Sequence, residues 1–166
     1  MKRNINYKLI LLLLVPYLAG EIINRLISLG INLNSSSLTS ISGMLLSIWT
    51  SFGATVYWFY VGRQFGSLEI NKIKGFILGN VLWGISFVLF IWQFVLVDDI
   101  HRNFSIGIIS QHYALGFISW ASRLIRLFTN TIDSTAVVMV AHLIMFMIFT
   151  LGFISSSKIK SERKFY

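Results

Sequence analysis

The sequence predicts an all-α integral membrane protein, a bundle of four transmembrane helices with an amphipathic interfacial helix between the third and the fourth. Hydrophobic residues make up 55% of the 166 residues, charged residues only 12%, and the mean hydropathy is +0.74. An ordinary soluble domain has about 25% charged residues. This composition therefore excludes a typical cytosolic globule and a disordered chain, and the lengths of the apolar segments indicate helices that cross a bilayer.

Four apolar segments approach the roughly 20 residues that a helix needs to cross the hydrocarbon core. They are residues 9–31, 43–61, 75–97 and 135–154. The first follows Met1-Lys2-Arg3 and also resembles a secretory signal, but Tyr17-Leu18-Ala19 is a poor cleavage site. We therefore expect a retained membrane anchor and a single transmembrane domain over residues 1–166.

The segment 104–128 is too polar in its first half for a confident span. Its second half is amphipathic at helical spacing, with one polar face formed by Ser119, Ser122, Arg123 and Arg126. Such a helix lies in the plane of the membrane interface, where Arg123 and Arg126 would contact lipid headgroups or phosphate. A re-entrant segment and a fifth span are the alternatives.

The distribution of basic residues favours four spans over five. With a cytoplasmic N-terminus, four spans place ten of the 14 Lys and Arg residues inside and leave four outside, whereas five spans give eight and six. The positive-inside rule prefers the steeper asymmetry. We therefore predict that both termini are cytoplasmic, with residues 155–166 as a basic tail on the inner membrane surface.

Polar residues inside the apolar segments predict a ligand-binding pocket in the outer leaflet. Glu21 and Arg25 are four residues apart and share one face of the first span, while Gln93 and His142 lie in the outer halves of the third and fourth spans. Charges in a membrane helix are costly and tend to have a partner or a role. The alternative is an internal ion pair together with hydrogen bonds between helices.

The outer loops contain carboxylates and imidazoles that could serve in acid–base or metal chemistry. Asp98, Asp99, His101 and His112 supply these groups, but their spacing matches no ligand or catalytic motif. A solvated loop that caps a helix end is the simpler interpretation. Catalytic residues are therefore left unassigned, and we expect neither a metal site nor a cofactor.

Two pairs of glycines bear on helix packing and on the inner loop. Gly75 and Gly79 form a small-xxx-small pair, for which we expect packing within the molecule rather than a dimer contact. Gly62 and Gly66 bracket Arg63, and we interpret this segment as a tight turn beside lipid phosphate.

Three functions are compatible with these features. The first is a binding protein for a small ligand, a lipid or a membrane-protein partner, such as a transporter accessory or immunity-type subunit. The second is an interfacial enzyme that acts on a lipid or lipid-linked substrate at the outer face. The third is an oligomeric channel or proton-coupled carrier. The lipid bilayer is the expected partner in each case, and nucleic acid is not, because most basic residues flank apolar segments.

Overall fold

A computed structural model describes residues 7–162, and every regular element within this range is helical. The predicted all-α class is therefore confirmed. The basic residues at positions 2, 3, 163 and 164, which entered the topology prediction, lie outside the described residues. The seven α-helices of this range are α1 (Tyr7–Asn32), α2 (Ser36–Ile48), α3 (Ala54–Gly66), α4 (Lys72–Ile91), α5 (Phe104–Ala114), α6 (Ile118–Arg126) and α7 (Ser134–Glu162).

Three helical segments are long and apolar enough to cross a membrane. They are Tyr7–Asn32, Lys72–Leu96 and Ser134–Ser156, and they coincide with the first, third and fourth predicted spans. The second predicted span, residues 43–61, is distributed over α2, a π-helical turn (Trp49–Gly53) and α3. It does not belong to this set of three, so the structure supports the membrane class and three of the four predicted spans.

Helices α1 and α2 form a tight antiparallel hairpin. Asn34 adopts a left-handed conformation with φ of 48°, which asparagine tolerates better than most residues. Ser35 then caps α2, since its side chain accepts a hydrogen bond from the Leu38 backbone N–H. Near the C-terminal end of α1, a Cβ atom on Gly30 would lie 3.0 Å from the Thr39 backbone nitrogen, so glycine permits this close approach of α1 and α2.

The closest helix pair is α3 and α7, which are brought together by glycines. A Cβ atom on Gly62 would lie within van der Waals overlap of the Phe149 carbonyl oxygen, and one on Gly66 would overlap the Phe153 carbonyl oxygen. On the opposite helix, Gly152 packs in the same way against Phe59. The predicted turn at residues 62–66 is therefore wrong. These residues are helical, and their glycines remove the side chains that would hold two helix backbones apart.

Aromatic side chains fill the space beside this contact. The ring of Phe149 lies 5.8 Å from that of Trp58 and 5.8 Å from that of Phe76, measured between centroids. Gly79 of α4 faces the Phe149 ring, where a Cβ atom would not fit. The expectation that Gly79 packs within the molecule is confirmed, because the missing side chain makes room for this ring.

The segment 104–128 divides into two parts with different environments. Helix α5 packs among α1, α4 and α7, and its small residues Gly107, Ser110 and Ala114 are buried. A short 3-10 turn (Leu115–Phe117) then packs against the π-helical turn, where Gly116 is close to Ala54 and Trp49. Only α6 retains the predicted amphipathic character. The first half of the segment is thus part of the bundle, since small residues allow it to enter between larger helices.

Candidate functional site

Polar side chains of the described residues form several groups between helices. The first group joins α1 to α5. The Nε of Arg25 donates a hydrogen bond of 2.6 Å to Oε1 of Glu21, as the four-residue spacing predicts. The Nδ1 of His112 lies 3.2 Å from Oε2 of the same carboxylate, at an orientation that does not make a hydrogen bond. Glu21 therefore lies between a guanidinium and an imidazole.

Gly20 accounts for the position of His112. A Cβ atom at residue 20 would lie 2.9 Å from the His112 carbonyl oxygen, so glycine allows α5 to approach α1 at this level. The ring of Tyr17 covers the imidazole from one side, with 6.2 Å between centroids. The sequence identified His112 as an acid–base candidate in an outer loop, whereas the structure places it in α5. The adjacent Gly20–Glu21 pair was a weak signal of a close helix contact, but it did not indicate which helix approaches.

His142 makes its contacts in a second group, which joins α7 to α4. The side chain is fully buried, and its Nδ1–H donates to the Val138 carbonyl oxygen over 2.9 Å. Its Nε2 lies 3.3 Å from Oγ of Ser86, and that hydroxyl donates to the Ser110 carbonyl oxygen over 2.9 Å. Because a serine has one hydroxyl hydrogen, Ser86 cannot fully satisfy both acceptors at once. This group therefore links α4, α5 and α7 through the side chains of Ser86 and His142.

Gln93 makes its contacts in a third group, in the π-helical turn Trp92–Leu96 that follows α4. Its side-chain oxygen accepts a 2.7 Å hydrogen bond from the Asn103 backbone N–H, immediately before α5. Its backbone oxygen accepts a 2.8 Å hydrogen bond from Nε of Arg102, whose guanidinium also pairs with Asp99. Gln93 therefore fixes the position at which α5 begins. Asp99 takes part in this group through its ion pair with Arg102, and the interpretation of residues 98–101 as a solvated loop that caps a helix end stays a prediction.

The four residues that the sequence assigned to one pocket thus have different partners. Glu21 and Arg25 contact each other, whereas Gln93 and His142 each bond to separate groups. Within residues 7–162, no three His, Asp or Glu side chains are grouped so that they could hold a metal ion. The arrangement supplies paired charges and hydrogen bonds between helices.

A polar groove lies on another side of the bundle, between α2 and α6, and we call it the outer groove after the side of the membrane on which the sequence-based topology places it. It has a volume of about 280 Å³ and is open to the exterior. Arg123, which the sequence assigned to headgroup or phosphate contact, lies at its wall with the guanidinium over the Trp120 ring, 5.8 Å from the centroid. The residues that define the outer groove are Leu46, Ser47, Thr50, Ile118, Ser119 and Arg123.

The outer groove combines one cation with hydroxyl groups and apolar walls. Arg123 and Arg126 are both exposed on α6. The Thr50 hydroxyl donates to the Leu46 carbonyl oxygen, so its oxygen can still accept a hydrogen bond. A guanidinium matches the geometry of phosphate or carboxylate oxygens, and aromatic stacking orients it. The groove can therefore accept an anionic group attached to an apolar body.

The fold and these sites define an all-helical protein with three candidate membrane-spanning helices and polar groups between its helices, over the range that the structure describes. No family model, no curated protein and no solved structure matches the chain. A functional conclusion therefore depends on the geometry described above.

Proposed function

We propose that the chain is a four-span membrane protein with both termini in the cytoplasm. The second span would run through α2, the π-helical turn and α3, which follow one another without a break in helical structure. At a rise of about 1.5 Å per residue, residues 43–61 extend over roughly 28 Å, close to the thickness of a hydrocarbon core. In this arrangement α5 and α6 enter the bundle from the outer side, and Leu124 of α6 lines a pocket with Thr55 and Ile144 near the middle of the second and fourth spans.

Labelling of single cysteines tests this topology, because the chain has no cysteine of its own. In intact cells, a membrane-impermeant maleimide is expected to label Ile100→Cys and Asn130→Cys but not Lys74→Cys, all three of which replace exposed residues. Permeabilised cells should label all three variants. A fifth span over residues 104–128 would protect Asn130→Cys in intact cells, and this result would overturn the four-span topology.

Within this topology, the protein binds a phosphate-bearing ligand in the outer groove. The observation that carries this proposal is that the exposed Arg123 lines a groove with hydroxyl groups and apolar walls while its guanidinium stacks on Trp120. The phosphate would come either from a lipid headgroup or from a free small molecule. A protein of this kind acts by binding its ligand and not by converting it, as a transporter accessory or immunity-type subunit does.

Removal of the Arg123 charge is expected to weaken binding. A hydrogen bond to a charged group contributes about 1.5–3 kcal/mol, so Arg123→Gln should raise the Kd about tenfold or more. The measurement is a titration of the full chain in detergent with short-chain phosphatidylglycerol in one arm and glycerol phosphate in the other. Binding in the first arm alone would identify a lipid headgroup, and binding in both would identify phosphate itself.

Arg63→Gln is the matched control, because Arg63 is an exposed arginine in α3, outside the groove. It should bind as the wild-type chain does. Equal binding by Arg123→Gln and the wild-type chain, or equal losses in both variants, would contradict a site in the outer groove.

The contact between Glu21 and His112 favours a second candidate, an interfacial enzyme that acts on a lipid. The Glu21 carboxylate and the His112 imidazole are 3.2 Å apart, so a proton could pass between them once the ring turns towards the carboxylate. In this case the purified chain should convert a radiolabelled lipid extract, and Glu21→Gln should abolish the conversion while Glu69→Gln leaves it intact. Absence of turnover by the wild-type chain would remove this candidate.

A further inference from the structure

We infer that an acyl chain of an anionic phospholipid occupies a crevice between α1 and α4, with its phosphate near Arg25. This inference depends on the membrane placement proposed above but not on binding in the outer groove, which lies between other helices. The crevice, which we call the lateral crevice, has a volume of about 210 Å³. Its walls include Leu14 and Tyr17 of α1, Leu82, Ile85 and Leu89 of α4, and Ile109 of α5.

The interior of the lateral crevice is apolar. Ser86 and Tyr113 also line it, but their hydroxyl groups donate to the Ser110 and Leu13 carbonyl oxygens. These polar groups are therefore satisfied by the protein, and the occupant meets mainly hydrocarbon. Pockets for drug-sized ligands measure roughly 300–1,000 Å³, so the smaller lateral crevice fits a thin linear chain better than a ring system.

The position of the lateral crevice indicates lipid as the occupant. Two of its three walls, α1 and α4, are candidate membrane-spanning helices. The outward-facing wall residues Leu14, Ile85 and Ile109 are 38%, 53% and 46% exposed. A chain of the surrounding bilayer can therefore enter from the side.

Arg25 provides the charge that selects the headgroup. Tyr17, Glu21 and Arg25 follow one another at intervals of four residues, so they lie on one face of α1, with Arg25 about 12 Å above Tyr17 towards the outer end. The Arg25 side chain is 76% exposed, and Glu21 accepts a hydrogen bond from its Nε. A guanidinium has five N–H donors, so donors are left for a phosphate.

Photocrosslinking in vesicles tests the inference on the full chain. The probes are phosphatidylglycerol and phosphatidylcholine that carry a diazirine near the end of one acyl chain, and labelled residues are mapped by peptide mass spectrometry. We expect the phosphatidylglycerol label on crevice residues of α1, α4 and α5 above all other positions. Ile109→Trp, which fills the crevice, should remove this label, and Ile77→Trp, on another face of α4, should retain it.

The contribution of the Arg25 charge is tested separately. Arg25 lies six residues, about 9 Å, below the outer end of the first span at Ile31, and its charge is partly offset by Glu21. Because a basic residue at the membrane surface attracts anionic lipid by about 1 kcal/mol, Arg25→Gln should reduce the preference for phosphatidylglycerol by at most about fivefold. Lys74→Gln, which removes an exposed charge at the other end of α4, should keep the preference. This arm stays informative if Ile109→Trp does not fold.

Three results would overturn the inference. An even distribution of label over the exposed faces of α1 and α4 would show ordinary boundary lipid, and crosslinks between two chains through the crevice would show a second copy in its place. Absence of label from all helices would contradict the membrane placement as well. Arg123→Gln should leave the crevice label unchanged, so failure of the outer groove is distinguishable from failure of this site.

Discussion

Gly62→Val is expected to prevent α3 and α7 from packing and to leave little folded protein. The new Cβ atom would overlap the Phe149 carbonyl oxygen and lie 3.0 Å from the Phe153 backbone nitrogen. Backbone atoms on both sides cannot rotate away, so the helices must separate, at a cost of about 3 kcal/mol. The measurement is the monodisperse fraction after solubilisation, together with thermal unfolding of that fraction.

Gly84→Val is the matched control for this experiment. Gly84 lies within α4, and a Cβ atom at this position would meet no heavy atom within 4 Å beyond the neighbouring backbone of its own helix. Valine therefore points into open space there, and we expect the control to accumulate and unfold as the wild-type chain does. Similar behaviour of the two variants would contradict the close α3–α7 contact.

His142→Ala is expected to destabilise the protein while leaving ligand binding by the folded fraction unchanged. The side chain is fully buried, and its removal leaves a cavity and deprives Ser86 of a polar neighbour. The combined cost is about 3 kcal/mol. Thermal unfolding in detergent measures the loss, and titration with short-chain phosphatidylglycerol measures binding.

Met147→Ala is the control for this substitution, because Met147 lies on the same helix and is exposed. It should change the stability little. A His142→Ala chain that is as stable as the control but no longer binds ligand would show that His142 contacts the ligand, as the sequence-based assignment of one outer-leaflet pocket predicts.

The pairing of Glu21 with Arg25 could be predicted because it lies within one helix. Residues four apart on a helix are neighbours whatever the rest of the chain does. The position of His112 beside Glu21 could not be predicted in the same way, since it depends on how α5 packs against α1. The chain offers several polar residues of similar type, and their spacing does not indicate which of them meet.

The glycines of α3 illustrate the same limit of prediction from the sequence. From the sequence, Gly62 and Gly66 were interpreted as the glycines of a tight turn. The structure has a helix there, because Gly152 and the backbone of α7 lie opposite. A glycine in the sequence shows that a side chain is absent, but it does not show which part of the chain occupies the space.

The sequence by itself determined the all-α class and three apolar helices of membrane-spanning length, because hydropathy and length are properties of contiguous residues. Only the tertiary structure decided that α5 is buried in the bundle, that Gln93 and His142 bond to different partners, and that Arg123 faces a groove beside α2. These features depend on contacts between residues far apart in the chain, which are selected by shape and hydrogen bonding once the helices have formed.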